Sequence, residues 1–587
     1  MRKARLLIAS LALVGAAISA APGDDDLTRA RQALARGDGI DAEVALKRAL
    51  DAGVQRPAIA AAMGEAMLDQ GERGKAREWL GAGEFSPETA VYGFRMLGLL
   101  ERRDGNLAAA GNAYNRALAI TRDDSMLWVD IGRLRYAGGE QAQSIGAADE
   151  ALKHDPENIR ALELRGQLVR DQFGPVAALP WFESGLSHAP DDLDLLGEYA
   201  ATLGEAGRVQ DALTVTRRLA ELAPGSPKAL FIQAVIAARA GNYALAKGIL
   251  DRIEGPFRDS PAALLLTGAL EIEDANPNIA IEALDRLVRM QPANSRAQEL
   301  LTRALYDAGE LDDLTQRFAP LAARPGASPY LLTLLARAYE DQGRRDLAGP
   351  LLDRAAADRA DLAPVAELSG SGDVASQLRG LLAAGQNAQA ATVAEQLRAA
   401  RPGFAPAQAF AGDAQLALGR PAEALDRYRR AAEIRLSDDL LLKMLFAMVR
   451  SGQGRGAGEL LAGYIANNPQ SRTGARAAAG LAAQNGDWDL SRDILESLRM
   501  RGGARDVRLL CDLSLAQWRG GDAETAVVTA EAAYRLQPAS AVASQALGAA
   551  LAEAGERPRA ARSLLNKARA IGGSNPLLEE ALAKLPK

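Results

Sequence analysis

Cysteine is almost missing from this chain: Cys511 stands alone among 587 residues. One thiol excludes an internal disulfide framework and leaves no partner for a cysteine metal site. Its neighbours Leu509, Leu510 and Leu513 predict a packed thiol inside a helix rather than a nucleophile. Aromatic residues make up only 4% while apolar residues reach 48%. Most apolar positions are therefore Ala, Leu and Val, which suit closely packed helices better than strands. No sign of charge dominates, since 69 basic and 75 acidic residues leave a net charge of -6. That balance supplies no basic field and excludes a general nucleic-acid binder. Beyond the N-terminus no segment offers the roughly 18 to 20 apolar residues of a membrane-spanning helix, so no span is expected in the mature chain.

The N-terminus carries Arg2, Lys3 and Arg5 ahead of an apolar stretch from Leu6 to Ile18, then Ser19, Ala20 and Ala21. A basic start, a short apolar core and small residues at the exit are the pattern of a secretory signal peptide, here residues 1–21. The reading places the protein in the periplasm or outside the cell. No cysteine follows the exit, so a lipoprotein is not expected. An uncleaved amphiphilic anchor is the alternative.

At this length the chain is several domains or one elongated array, and internal repetition decides for the array. Glycine recurs at Gly37, Gly71, Gly105 and Gly139, then at Gly207, Gly241, Gly309 and Gly343, always in steps of 34 or 68. Five residues further on lie Ala42, Ala76, Ala110, Ala178, Ala212, Ala246, Ala280 and Ala348, with Ser144 and Leu314 in the two remaining places. Pro156, Pro190, Pro224 and Pro292 keep the same step. Glycine ends a helix in the left-handed conformation, proline suits the first turn of the next helix, and alanine lets antiparallel helices approach. Each unit thus reads helix, turn, helix, turn. After Gly343 the register slips to Gly385, and Gly419, Gly521 and Gly555 carry it on. The slip coincides with the stretch PVAELSGSGDV, whose Pro, Ser and Gly content is that of a linker. The expected organisation is a signal peptide (1–21), an N-terminal array of about ten units (22–362), a linker (363–375), a C-terminal array of about six units (376–574) and a capping helix (575–587).

These residues resemble the tetratricopeptide repeat family. Residues 128 to 156 match its pattern most closely, with Trp128, Ile131, Gly132, Ala151 and Pro156 in place. Gly174, Ala275 and Leu314 depart from the pattern, so distorted units are expected there. The resemblance implies an all-α fold, a right-handed superhelical solenoid whose first helices line a concave groove. On the family's register that groove holds Arg95, Arg102, Arg133, Tyr136 and Arg170, and a second set holds Arg303, Tyr306, Tyr330 and Arg337. Arginine with tyrosine suits a protein segment, an extended peptide or an anionic polysaccharide. The family's two-Lys, two-Asn, one-Arg carboxylate clamp is not matched, because Tyr92, Arg95, Leu99, Val129 and Arg160 stand in its places. The export signal makes the chain similar to exported family members that serve bacterial envelope machines in exopolysaccharide export or outer-membrane assembly.

Catalytic chemistry finds no foothold. His154 and His188 are the only histidines and, one repeat apart, lie on the order of 10 Å from each other. One zinc, with ligands at about 2 Å, does not join them. The glycine-rich GQGRGAG at 452–458 lacks the Lys-Ser/Thr ending of a phosphate loop. The expectation is a non-enzymatic interaction scaffold without metal or cofactor. The alternatives are a direct binder of anionic polysaccharide and an accessory subunit of an envelope enzyme.

Overall fold

Each unit begins where a short polar side chain caps a helix. Asp124, Asn158, Asp192, Ser226, Ser260, Asn294 and Ser328 each accept a hydrogen bond from the backbone N–H three residues on, at 2.9 to 3.4 Å. Such caps satisfy one of the orphan donors of a helix start. They keep the step of 34 residues, filled by three different residue types. The glycines end the helices as expected: Gly37, Gly71, Gly105, Gly139, Gly207, Gly241, Gly309 and Gly343 all take a positive φ between 71° and 82°.

The structure is a computed structural model that describes residues 23–292, 294–324, 327–356, 372–538 and 540–586. The segment read as a signal peptide, residues 1–21, lies outside them, as does most of the expected linker. Within 363–375 the described part opens the helix Gly372–Ala383. Among the described residues ten pairs of α-helices precede residue 357, six pairs follow residue 371, and Pro576–Lys584 stands last, capped by Asn575. There is no strand among them. The protein is an all-α solenoid of helix-turn-helix repeats.

The prolines sit elsewhere than expected. Pro156, Pro190, Pro224 and Pro292 lie in the turn, two residues before the caps Asn158, Asp192, Ser226 and Asn294, not in the first turn of the helix. There they stop the preceding helix from continuing. The alanine series is sealed between helices as anticipated, with Ala42, Ala76, Ala110, Ala178, Ala212, Ala246 and Ala280 fully buried. A further pairing lies beneath it. Gly64, Gly98, Gly166, Gly268 and Gly412 on first helices face Leu80, Tyr114, Phe182, Leu284 and Tyr428 on the second helices. A Cβ at Gly98 would stand 2.2 Å from the Tyr114 ring, and one at Gly412 would stand 2.4 Å from that of Tyr428. Glycine there makes room for the largest side chains of the core.

The irregular units keep both helices. At Gly174 the first helix runs on through the usual turn glycine's place to fifteen residues, Ile159–Phe173, and Gly174 turns the chain directly into Pro175–His188. Ala275 takes the place of a repeat glycine and adopts its left-handed conformation, with φ 57°. Leu314 fills its alanine position fully buried against Leu305 and Phe318. Between 438 and 505 the turn glycines are Gly452 and Gly486, one residue early. A π-turn at Arg499–Gly503 restores the step before Gly521.

Packing divides the chain into two units. One comprises the described part of Met1–Gly139 with Gln143–Ala161; the other comprises Glu140–Ala142 with the described part of Leu162–Lys587. Inside the second unit, repeats far apart in sequence touch. Gln172 Nε2 donates to the Glu433 carbonyl at 2.6 Å, and Asn468 Nδ2 donates to the Phe173 carbonyl at 3.2 Å. Gly174 and Gly207 give Asn468 and Gln470 space to approach, since a Cβ at either would lie within 2.5 Å of them.

Candidate ligand groove along the first helices

In the first unit the first helices of successive repeats, Asp24–Ala35, Arg56–Asp69, Ala90–Arg103 and Ser125–Ala137, carry a ladder of opposed charges. Arg95 projects from Ala90–Arg103, with its side chain only 13% exposed. Its Nε donates to Asp130 Oδ2 at 3.0 Å, and Nη1 lies 3.8 Å from Asp124 Oδ2. Asp130 is buried, and that burial pushes its carboxyl above the usual range despite Arg95. Arg133 sits half-buried near the same carboxylate. Arg102 turns its Nε inward beside the Tyr114 hydroxyl, and both atoms are sealed from solvent. Tyr136 is exposed.

One repeat earlier, Tyr92 donates a short hydrogen bond from its hydroxyl to Glu65 Oε2. Burial pushes the Glu65 carboxyl up to about 7, and the neighbouring Asp69 and Asp130 reinforce that shift while Arg95 and Arg103 oppose it. Glu65 and Tyr92 line an open cleft of about 430 Å³. Its walls are Leu27, Leu34, Ala58 and Ala62, with Arg31 also lining it. Sequence reasoning passed over Glu65 and Asp130. The available signal was a carboxylate lodged in a first helix otherwise rich in alanine or apolar residues.

In the second unit Arg170 is engaged by Thr202 at 3.0 Å and Glu198 at 3.3 Å. Arg303 lies 3.3 Å from Glu273 and 3.4 Å from Asp307, and the Tyr306 hydroxyl donates to Asp341 at 2.9 Å. Tyr330 remains exposed. Arg337 is half-buried, close enough to Tyr306 to act on its phenol electrostatically. The candidate arginines thus fall in both units, and Arg95, Arg170 and Arg303 serve ion pairs between or within helices. Among the described residues no cluster of three His, Cys, Asp or Glu side chains is arranged to hold a metal. No helix among them is long and apolar enough to cross a membrane.

Helix pairs stacked through small residues, turned by left-handed glycines and bearing polar side chains on their first helices, define an interaction solenoid. The chain carries tetratricopeptide repeats: that family's model matches residues 200–261, 266–313 and 377–439. It is similar to cellulose synthase operon protein C of Xanthomonas axonopodis pv. citri (strain 306), with 28% identity over 328 residues, or 51% of this chain and 20% of that protein. The match thus spans about a fifth of the relative's length. Among solved structures it is similar to the APC/C hetero-tetramer Cut9-Hcn1, at TM-score 0.38 and 12% identity over 96% of each chain. It is also similar to a tetratricopeptide repeat protein from Parabacteroides merdae ATCC 43184, at TM-score 0.33 and 17% identity over 48% of this chain and 99% of that one.

Proposed function

We propose that this protein is a non-catalytic scaffold exported to the bacterial cell envelope, whose first helices dock a segment of a partner protein, with exopolysaccharide export as its setting. The observation that carries the reading is the open cleft between first helices of the first unit, lined by apolar side chains together with the hydrogen-bonded Glu65–Tyr92 pair. Apolar walls with a few convergent polar groups are what a docked side chain requires. The export signal at residues 1–21 supports the envelope location, and the cellulose operon relative supports the setting. Direct capture of an anionic polysaccharide would need cations open to the groove, whereas Arg95, Arg170 and Arg303 are occupied by carboxylates.

The test is crosslinking in intact cells of the natural host, followed by envelope fractionation and mass spectrometry of what accompanies the protein. An outer-membrane porin or a polysaccharide synthase is the expected companion. A monomer recovered from the cytoplasm with no companion would overturn both location and function.

A further inference from the structure

We propose that the cleft of the first unit is a lysine socket, which takes the ammonium-tipped side chain of a partner segment onto Glu65. The inference rests on the docking function above and names the chemistry of its ligand.

A lysine side chain is an apolar stem with a compact charge at its tip. The cleft offers both kinds of contact: Leu27, Leu34, Ala58 and Ala62 line it, and so does Glu65. Tyr92 already occupies Glu65 Oε2, and among the described residues no side chain is hydrogen-bonded to Oε1. One free acceptor atom suits a point charge such as an ammonium. A guanidinium fork would need both oxygens. Arg31 offers a countercharge to an acidic residue beside that lysine.

The charges around Glu65 leave room for one cation. Asp130 is matched by Arg95, at 3.0 Å. Arg103 faces Asp69, and it also donates to the Leu68 carbonyl at 3.2 Å. Once ionised, Glu65 is therefore a carboxylate without a basic partner of its own. The empty site avoids that cost by holding the proton up to about 7. An arriving ammonium replaces the proton, so binding releases one and strengthens as pH rises.

The probe is n-hexylammonium, with n-hexanol as its uncharged counterpart, and binding to the whole chain is read by saturation-transfer NMR. Transfer to the n-hexylammonium chain is expected to rise by up to about tenfold from about pH 6 to about pH 8, following the ionised fraction of Glu65. Glu65→Gln keeps the shape and loses both the binding and its pH dependence. Ala58→Leu fills the cleft from another side and abolishes binding with Glu65 intact. Equal transfer to n-hexanol, or an unchanged pH profile in Glu65→Gln, would overturn the socket. If the socket fails while the envelope companion still crosslinks to wild type and Glu65→Gln alike, the lysine assignment falls and the scaffold function stands. Loss of every companion in wild type would remove the scaffold function as well.

Discussion

The Lys443 ammonium lies 2.5 Å from Asp413 Oδ2 with both side chains almost wholly out of water, at 1% and 5% exposure. Tyr428 completes the arrangement by donating from its hydroxyl to Asp413 Oδ1 at 2.8 Å. Asp413 belongs to the first helix of one repeat, Ala405–Ala417, and Lys443 to the first helix of the next, Asp438–Arg450. The pair therefore ties adjacent units. Taking two charges out of water is costly, and their attraction offsets the cost only while both are present. Lys443→Met alone is expected to destabilise by about 3–5 kcal/mol, because it strands Asp413. The double variant Lys443→Met/Asp413→Leu should be more stable than either single one. Urea denaturation followed by circular dichroism checks this, and a double variant worse than both singles would refute it.

Two tyrosines in equivalent places should respond in opposite ways. Tyr114 and Tyr428 each fill the space opposite a glycine, Gly98 and Gly412, and both rings are buried. The Tyr428 hydroxyl is held by Asp413 at 2.8 Å, whereas that of Tyr114 is buried beside the Arg102 guanidinium without a hydrogen bond of good geometry. Removing a satisfied buried hydroxyl costs about 1–2 kcal/mol, whereas removing an unsatisfied one recovers its desolvation penalty. Tyr428→Phe is thus expected to lower the melting temperature, and Tyr114→Phe to leave it unchanged or raise it. Gly98→Ala, which forces a methyl against the ring, should cost about 1–3 kcal/mol.

Ala275 occupies a turn that its neighbours reserve for glycine. Its φ of 57° matches the left-handed conformation of Gly241 and Gly309 on either side. An L-residue with a Cβ is strained there by roughly 1–2 kcal/mol. Against that, glycine gives the unfolded chain more freedom. The strain term is the larger, so Ala275→Gly should stabilise by about 0.5–1 kcal/mol. Hydrogen exchange of Pro261–Glu273 and Pro277–Met290 would show the gain as slower local opening. Faster exchange would mean that the surrounding structure relieves the strain.

The repeat was legible in sequence wherever one residue type does one job. Only glycine takes the turn cheaply and only a small residue fits between the helices, so both series survive as letters. The 34-residue step of the caps from Asp124 to Ser328 was hidden because Asp, Asn and Ser do the same work. The glycine run at 452–458 reads as a turn, but Gly452 and Gly486 stand one residue off the step and so escape the repeat series. The groove was harder for a different reason. Arg95 reads the same whether it meets a ligand or Asp130, and the choice is made by packing across 35 residues of sequence. Glu65 and Tyr92 likewise meet only when two first helices lie side by side.

Glu65 also makes the stability of the first unit depend on pH. Its carboxyl titrates near 7 in the folded chain against an ordinary value of 4.5, so the native state binds the proton more tightly than the unfolded one. The stabilisation is fully present below about 4.5 and is lost as pH rises through about 7. At its largest it amounts to about 3 kcal/mol. Asp69 and Asp130 are shifted upward too, mainly by burial, and act in the same direction. Wild type should therefore unfold at lower urea at about pH 7.5 than at about pH 5. Glu65→Gln has no proton to lose, and its urea midpoint should fall less over the same interval. Trp79 and Trp128 lie in the first unit and their fluorescence reports its unfolding. An equal fall in both proteins would show that Glu65 holds no excess affinity for its proton, and that its carboxyl faces water rather than the apolar walls of the cleft.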